Sequence, residues 1–368
     1  MMAGPKISIV IPTRNRRRLL EETLNSVFAQ TVAEWELIVI DDASEDETWP
    51  WLSSLADTRI RKFRLEQHGE RSTARNMGLE AARGEFVLFL DDDDLLPGAA
   101  LQIHLAVLSK YPKAVASIGG YTMFNERDQH YTVRIIRRRQ ARHIWQELLF
   151  GWMAVSGQCL FRTEAVRAAK GWDGEFIPIE DHQLWLRVAR LGPVALLPEA
   201  VLLYRVHGGQ WRPPRLWKLM NKVRQRAAKK VHGKERELAE RILEAREQYR
   251  QALNCYGRGE TMAALGGYFK ALQLAPSLFA SPLTRPLFLP PMLKCFAGGR
   301  PVFSRLRRLS RKQPRAFAAP TIIDRQGRSD LTGNVENEAR EVAAESQDGE
   351  QLEGQLDAVS PQIGGQLT

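Results

Sequence analysis

Short apolar segments that end abruptly in polar or acidic residues constrain this chain most. Residues 6–11, 35–40 and 85–90 are such segments, and each is followed at once by a polar cluster, namely residues 12–15, Asp41-Asp42 and residues 91–94. Helix-forming stretches at residues 19–30, 47–55 and 72–82 alternate with strands, including a further one at 60–65. Strands that alternate with helices at this spacing indicate a parallel, doubly wound sheet. Because the apolar runs are continuous, helices are expected to cover both faces of the strands.

The acidic run Asp91-Asp92-Asp93-Asp94 predicts a metal site. Ligands of open α/β sheets bind at the carboxyl ends of the strands, and this run directly follows a predicted strand. Neighbouring carboxylates repel one another unless a cation neutralises them. Carboxylate oxygens favour Mg²⁺ or Mn²⁺. The alternative is a solvated loop in which Asp93 or Asp94 caps the next helix.

Residues 112–210 are less regular. We expect strands at residues 114–118, 158–162 and 194–204, the last interrupted at Pro198, and a helix at residues 181–191. Residues 134–142 form a basic stretch.

The sequence changes character after Pro213-Pro214. Charged, helix-forming sequence continues to residue 275, and residues 249–276 resemble one helix-turn-helix unit of the tetratricopeptide type, which must pack on something because one unit cannot bury its own face. From residue 325 the chain is polar, acidic and rich in Gly and Gln, which predicts disorder. The expected divisions are residues 1–212 (halves 1–110 and 111–212), a helical extension at 213–276, a basic Pro-rich segment at 277–324 and the tail at 325–368.

The net charge of +10 is unevenly placed. Residues 333–368 contain eight acidic residues and one basic residue, which leaves +17 for residues 1–332. A basic body suits phosphate-rich ligands or an anionic membrane, or serves solubility alone. The apolar, Pro-broken stretch before the seven Lys or Arg of residues 300–315 predicts peripheral membrane contact through residues 277–315. The basic residues are not interleaved with aromatic ones, so we expect no nucleic-acid partner.

The compartment expected from the sequence is the cytoplasm. The alternative is peripheral attachment to the inner face of the membrane. Cys159, Cys255 and Cys295 are odd in number and far apart, which fits a reducing compartment. We identify no secretory signal and no stretch of about 18 uninterrupted apolar residues.

Six blocks of the sequence resemble the family 2 glycosyltransferases, in the order and with the spacing of that family. They are ISIVIPTRN at 7–15, LIVIDDAS at 37–44, ARNMGL at 74–79, FVLFLDDDD at 86–94, EDHQLWLR at 180–187 and YRVH at 204–207. The resemblance covers residues 5–210. It implies a GT-A fold, which is a Rossmann-like, doubly wound mixed sheet, followed here by the helical C-terminal extension.

The implied activity is inverting, metal-assisted transfer of a sugar from a nucleotide diphosphate, UDP by family frequency, to a hydroxyl acceptor. That acceptor would be a glycan, a lipid-linked sugar or a protein. Two other functions remain open: a GT-A-like domain that binds nucleotide sugar without turnover, and a scaffold or membrane-surface adaptor that acts through the C-terminal region.

The resemblance also assigns the nucleotide site. Thr13 and Asp42 would hold the base and ribose, while Arg75 would contact the base or diphosphate or form an ion pair with Asp41 or Asp42. The full predicted set of nucleotide-binding residues is Pro12, Thr13, Arg14, Asn15, Asp41, Asp42, Arg75, Asn76, Asp91 and Asp92.

The implied metal, Mn²⁺ or Mg²⁺, would bridge the diphosphate oxygens and stabilise the charge of the leaving nucleoside diphosphate. Asp93 would ligate it, with Asp91 directed toward the ribose or the waters of the metal. His207 would be a third ligand or a diphosphate contact, or would lie on a mobile flap.

Asp181 is the implied general base, because a sugar hydroxyl is a poor nucleophile until a carboxylate removes its proton. Glu180 is the alternative base, and capping of a helix N-terminus is the alternative role for both. Trp152, Trp172 and Trp211 are candidate platforms for sugar stacking, or core residues.

Overall fold

A computed structural model describes residues 4–125, 130–133, 136, 138–152, 154–207 and 216–285. Trp211, the tail at 325–368 and all but the first nine residues of the segment 277–324 lie outside these ranges, so the predictions made for them stay predictions. Among the described helices, none combines the length and the apolar character that crossing a membrane requires.

The first part of the chain alternates strands and helices as expected. Its elements are β1 (Ile7–Thr13), α1 (Arg17–Phe28), β2 (Trp35–Asp41), α2 (Thr48–Ser54), β3 (Ile60–Arg64), α3 (Glu70–Ala81), β4 (Phe86–Phe89) and α4 (Ala100–Lys110). The four strands are parallel and lie in the order β3-β2-β1-β4. Their carboxyl ends therefore meet at one edge of the sheet.

The two faces of β1 explain its unbroken apolar sequence. Ile9 and Ile11 belong to a core cluster that also contains Leu24 of α1 and Leu101 of α4. Val10 belongs to a second cluster, on the face covered by α3. Every residue of β1 and β2 is buried, as expected for strands with helices on both sides.

The second part of the chain makes the sheet mixed rather than wholly parallel. It contributes β5 (Ala116–Asn125), β6 (His130–Val133), β7 (Gln140–Arg142), α5 (Trp145–Phe150), β8 (Cys159–Arg162), α6 (Thr163–Ala168), α7 (Glu180–Val188) and β9 (Val194–Val206). Within the described ranges the strand order is β3-β2-β1-β4-β8-β5-β9-β7, and β6 pairs with β5. β8 is antiparallel to both neighbours and β7 to β9, which confirms the mixed sheet that the family resemblance implies, while the strands of residues 6–90 are parallel as their spacing predicts.

The predicted interruption of the last strand at Pro198 is wrong. β9 runs through this residue, and its pairing with β5 shifts register there: Ile118 pairs with Leu196, but Gly120 pairs with Ala200. Proline lacks a donor for the ladder and is tolerated in strands at such irregularities. β5 likewise continues to Asn125, seven residues beyond the predicted end.

The helical extension packs on the sheet domain. It consists of α8 (Leu216–Lys229), α9 (Gly233–Gly257), α10 (Thr261–Leu274) and α11 (Pro276–Ala280). Tyr249 of α9 is buried between two rings, with centroids 5.5 Å from Phe150 of α5 and 5.8 Å from Tyr268 of α10. The extension therefore shares a core with the sheet domain.

Candidate active site

The loops that follow β1 and β2 are tied together at the carboxyl edge of the sheet. Asn15 and Ala43 turn the chain with φ values of 53° and 55°. The backbone N–H of Asn15 donates to Ser44 Oγ at 2.9 Å, and the N–H of Glu45 donates to Asn15 Oδ1 at 2.8 Å. Asn15 is thus a connector between the two loops.

Thr13 links these loops to the acidic run after β4. Its hydroxyl donates to Asp92 Oδ2 at 2.8 Å, and its carbonyl accepts the N–H of Asp42 at 2.8 Å. Polar groups from three strand ends, 79 residues apart in sequence at the widest, therefore lie at one place.

Asp41 and Asp42 are buried, and their partners come from residues 44–69, between β2 and the start of α3. Asp41 accepts the N–H of Ser44 at 3.1 Å and lies 3.3 Å from Arg64 Nε. Asp42 lies 2.7 Å from His68 Nδ1 and accepts the N–H of Gly69 at 2.7 Å. The option that Arg75 pairs with Asp41 or Asp42 is therefore wrong.

Arg75 instead joins three carboxylates from two separate parts of the chain. Its Nη2 lies 2.6 Å from Asp91 Oδ1, and its Nη1 lies 3.0 Å from Glu180 Oε1 and 3.8 Å from Asp181 Oδ1. Only 1% of the Arg75 side chain is exposed. Burial lowers the pKa of Arg75, but the charges of Asp91, Asp181 and Glu180 outweigh it and raise the pKa above its usual value. The guanidinium therefore stays charged.

Trp172 supports this arginine and is not a sugar platform. It is buried, and its ring centroid lies 4.4 Å from Arg75 Cζ and 5.0 Å from the ring centroid of Phe89. The side-chain amide of Asn76 donates to the carbonyl of Trp172 at 2.9 Å and accepts its N–H at 2.7 Å. Both the oxygen and the nitrogen of the Asn76 amide thus bond within the protein. Trp152, another candidate for sugar stacking, is half-buried and packs against the core.

Asp181 lies in the first turn of α7, beside Arg75 and the short helical turn Ser156–Gln158. Ser156 Oγ donates to Asp181 Oδ1 at 2.7 Å, and 24% of the Asp181 side chain remains exposed. Burial raises the pKa of Asp181 to about 6, against the opposing charge of Arg75. A carboxylate of this kind is ionised at neutral pH and is still basic enough to accept a proton.

The acidic run brings together oxygens that suit a divalent cation. Ligand atoms of Asp91, Asp93 and Asp94 all lie within 4.8 Å of one another. Asp94 is 2% exposed, and burial together with the charges of Asp91 and Asp93 raises its pKa well above the usual value. His207 Nε2 lies 3.1 Å from Asp93 Oδ2, so it contacts a carboxylate of the group.

The charge balance around this run also favours a cation. Among the described residues, six carboxylates lie in the connected group, from residues 91–94, Glu180 and Asp181. The guanidiniums of Arg16 and Arg75 pair with them, and the charges of Arg71 and Arg205 act on Asp91 and Asp94. Burial raises the pKa of Asp92 to about 6, despite Arg16 beside it. An oxygen-rich set with excess negative charge fits Mg²⁺ or Mn²⁺.

Sequence reasoning missed the contacts of Arg16 and Ser156, and it did not single out Asp94, whose carboxylate lies with those of Asp91 and Asp93. Arg16 Nη1 lies 2.9 Å from Asp92 Oδ1 and 2.8 Å from Asp93 Oδ2. A basic residue one position after the polar cluster of β1 was a usable signal, because an acidic run at the same sheet edge needs counter-charges. Ser156 carried no comparable signal.

The remaining predicted residues lie on the same rim but make fewer polar contacts there. Pro12 is a buried residue of β1, paired with Ile40 of β2. Arg14 is partly exposed, and its guanidinium lies 3.7 Å from Glu45 Oε1.

Comparison with known proteins shows which family the first part of the chain resembles. Residues 8–168 match the model of the family described as "Glycosyl transferase family 2". A putative teichuronic acid biosynthesis glycosyltransferase, TuaG, of Bacillus subtilis is 40% identical over 92 residues, which are 24% of this chain and 36% of the relative.

A GalNAc(5)-diNAcBac-PP-undecaprenol beta-1,3-glucosyltransferase of Campylobacter jejuni is 42% identical over 100 residues, which are 26% of this chain and 32% of the relative. The chain thus matches about a third of the length of these curated relatives.

A crystal structure of residues 1–349 of S. aureus TarS in complex with UDP-GlcNAc has the same fold. It superposes with a TM-score of 0.56 at 18% identity, covering 86% of this chain and 95% of that one. Residues 8–168, which place the strand-end motifs around one acidic cluster, are thus similar to glycosyl transferase family 2.

Proposed function

We propose that this chain transfers a sugar from a nucleotide diphosphate donor, UDP-linked, to a hydroxyl group of a glycan or lipid-linked acceptor, with inversion at the anomeric carbon. The observation that carries the proposal is that one buried guanidinium lies beside both the acidic run and the candidate general base. Arg75 pairs with Asp91 of the acidic run and lies 3.8 Å from Asp181. A carboxylate fit to act as base is thereby held next to a group fit to bind the metal and diphosphate.

The donor end would be formed by the rim of β1 and β2 together with the acidic run. Thr13 and Asp42 lie beside each other there and would hold the ribose and base through hydroxyl and carboxylate groups. Asp91, Asp93 and Asp94 would hold Mn²⁺ or Mg²⁺, with His207 beside Asp93. When bound, the cation would neutralise the negative charge of the donor's diphosphate.

The transfer step follows from the position of Asp181. The carboxylate removes the proton of the acceptor hydroxyl. At the same time the oxygen of that hydroxyl forms a bond to the anomeric carbon. The bond from that carbon to the diphosphate oxygen breaks, and the nucleoside diphosphate leaves with the electron pair. Ser156 and Arg75 fix the orientation of the carboxylate, which contributes to the rate through positioning.

The UDP donor and the glycan acceptor are supported by relatives. A structural neighbour, TarS, was crystallised with UDP-GlcNAc, and the Campylobacter relative is named for transfer of glucose to an undecaprenol-linked glycan. A polyprenol-linked or other cell-envelope glycan is therefore the acceptor class to test first. We place this activity in the cytoplasm.

The proposal is tested by Asp181→Asn, which keeps the size of the side chain and removes its basicity. We expect UDP-sugar binding with Mn²⁺ to stay within about twofold, while transfer to an undecaprenol-linked acceptor falls by about 10²-fold or more. Asp57→Asn is the matched control, because Asp57 pairs with Arg59 at the protein surface. Wild-type rates in Asp181→Asn would show that the base is another residue. Donor binding by the wild type without transfer or UDP release would favour a domain that binds without turnover.

A further inference from the structure

Arg16 has a fixed backbone position beside the carboxylates of Asp92 and Asp93. It is the residue before α1, directly after the positive-φ residue Asn15, and its backbone N–H donates to Thr48 Oγ1 at 3.1 Å. The backbone of Arg16 is thus fixed, while 35% of its side chain is exposed. Its guanidinium can therefore change position without any change in the loop.

The guanidinium contacts Asp93, one of the carboxylates that would hold a cation. Nη1 lies 2.8 Å from Asp93 Oδ2, which is also the oxygen 3.1 Å from His207 Nε2, and 2.9 Å from Asp92 Oδ1. A divalent ion bound to Asp93 would be only a few ångströms from this guanidinium, and charges of like sign at such a distance repel each other.

The other guanidinium in the cluster is held differently. Arg75 is 1% exposed and is surrounded by Asp91, Glu180 and Asp181 with the Trp172 ring over it, so it has no route by which to move away. Arg16 makes both of its ion-pair contacts through Nη1 and is 35% exposed, so its contact with Asp92 can persist when the one with Asp93 is lost. Of the two, Arg16 is the exchangeable counter-charge.

We propose that Arg16 is the resident counter-cation of Asp93 and competes with the divalent metal for that carboxylate. The metal must displace the guanidinium from Asp93, which weakens metal binding to the protein in the absence of donor. The inference rests on the metal-assisted part of the proposed function, since it concerns the same carboxylates.

The test is a titration of Mn²⁺ into the full chain without nucleotide, in which free Mn²⁺ is followed by electron paramagnetic resonance. Arg16→Gln should bind Mn²⁺ about tenfold more tightly than the wild type. Arg17→Gln is the matched control: it removes the same charge one residue away, from a side chain that pairs with Glu47, and should stay within about twofold of the wild type. Arg16→Gln binding no more tightly than Arg17→Gln would overturn the proposal.

A second variant at the same position distinguishes the effect of the charge from a loss of folding or of the arginine side chain itself. Arg16→Lys keeps the positive charge and should keep the Mn²⁺ affinity within about threefold of the wild type. If Arg16→Lys gained as much Mn²⁺ affinity as Arg16→Gln, the positive charge of residue 16 beside Asp93 would not be what weakens Mn²⁺ binding, and the proposal would fail. If neither the wild type nor Arg16→Gln bound Mn²⁺, the competition would also be refuted, whereas the proposed sugar transfer is judged separately by the Asp181→Asn experiment.

Discussion

The carboxylate cluster formed by residues 91–94, Glu180 and Asp181 has two sides that differ in how their counter-charges are held. On the buried side, Arg75 is enclosed by Asp91, Glu180 and Asp181. On the open side, Arg16 bridges Asp92 and Asp93 from a partly exposed position. Burial thus distinguishes the two arginines: a buried guanidinium is a fixed part of the fold, whereas a partly exposed one can be replaced by a bound cation.

The comparison is tested most strongly by removing each guanidinium in turn. Arg75→Met leaves Glu180 and Asp91 without their buried partner, and we expect the free energy of unfolding to fall by about 3–5 kcal/mol. Arg16→Met removes an ion pair whose guanidinium is 35% exposed although its carboxylate partners are buried, and should lower the free energy of unfolding by less, about 1–2 kcal/mol. Urea unfolding of both variants in EDTA measures this, and equal losses would contradict the distinction between the two sides.

A smaller effect concerns the pH dependence of the buried side. Because Asp181 has a pKa of about 6 and must be ionised to accept a proton, kcat/KM should fall about tenfold for each pH unit below 6 and level off above it. Ser156→Ala removes a hydrogen bond to the charged form of Asp181, so the pKa should rise and the midpoint should move to higher pH.

The control for this profile is Ser54→Ala, since Ser54 donates only to the carbonyl of Trp51 at the surface. A profile that does not move in Ser156→Ala, or that has no acid limb near pH 6, would mean that Asp181 is not the group that limits the reaction.

Much of the fold was predictable because its signals are local. The apolar runs of β1, β2 and β4 and the polar residues that end them are contiguous in sequence, and the structure places all three at one sheet edge. The bulge at Pro198 was not predictable, because a proline is accommodated or excluded by the partner strand, here β5.

The site was predictable in its residue types and less so in its contacts. The resemblance supplied Asp93 and Asp181 as candidates, but no local pattern indicates that Arg75 pairs with Glu180, 105 residues away. Arg16 stands next to a polar strand end and could have been suspected as a counter-charge, but no local pattern indicates that its partner is Asp93, 77 residues further on. Long-range ion pairs depend on the packing of the sheet, which periodicity does not encode.

The central claim is that carboxylates from separate parts of the chain hold one cation and one diphosphate at this sheet edge. The direct test is calorimetric titration of UDP with and without Mn²⁺ for the wild type and Asp93→Ala. We predict that Mn²⁺ tightens UDP binding to the wild type by at least about tenfold and leaves Asp93→Ala unaffected. Equal UDP affinity with and without Mn²⁺ in the wild type, or an undiminished Mn²⁺ effect in Asp93→Ala, would contradict it.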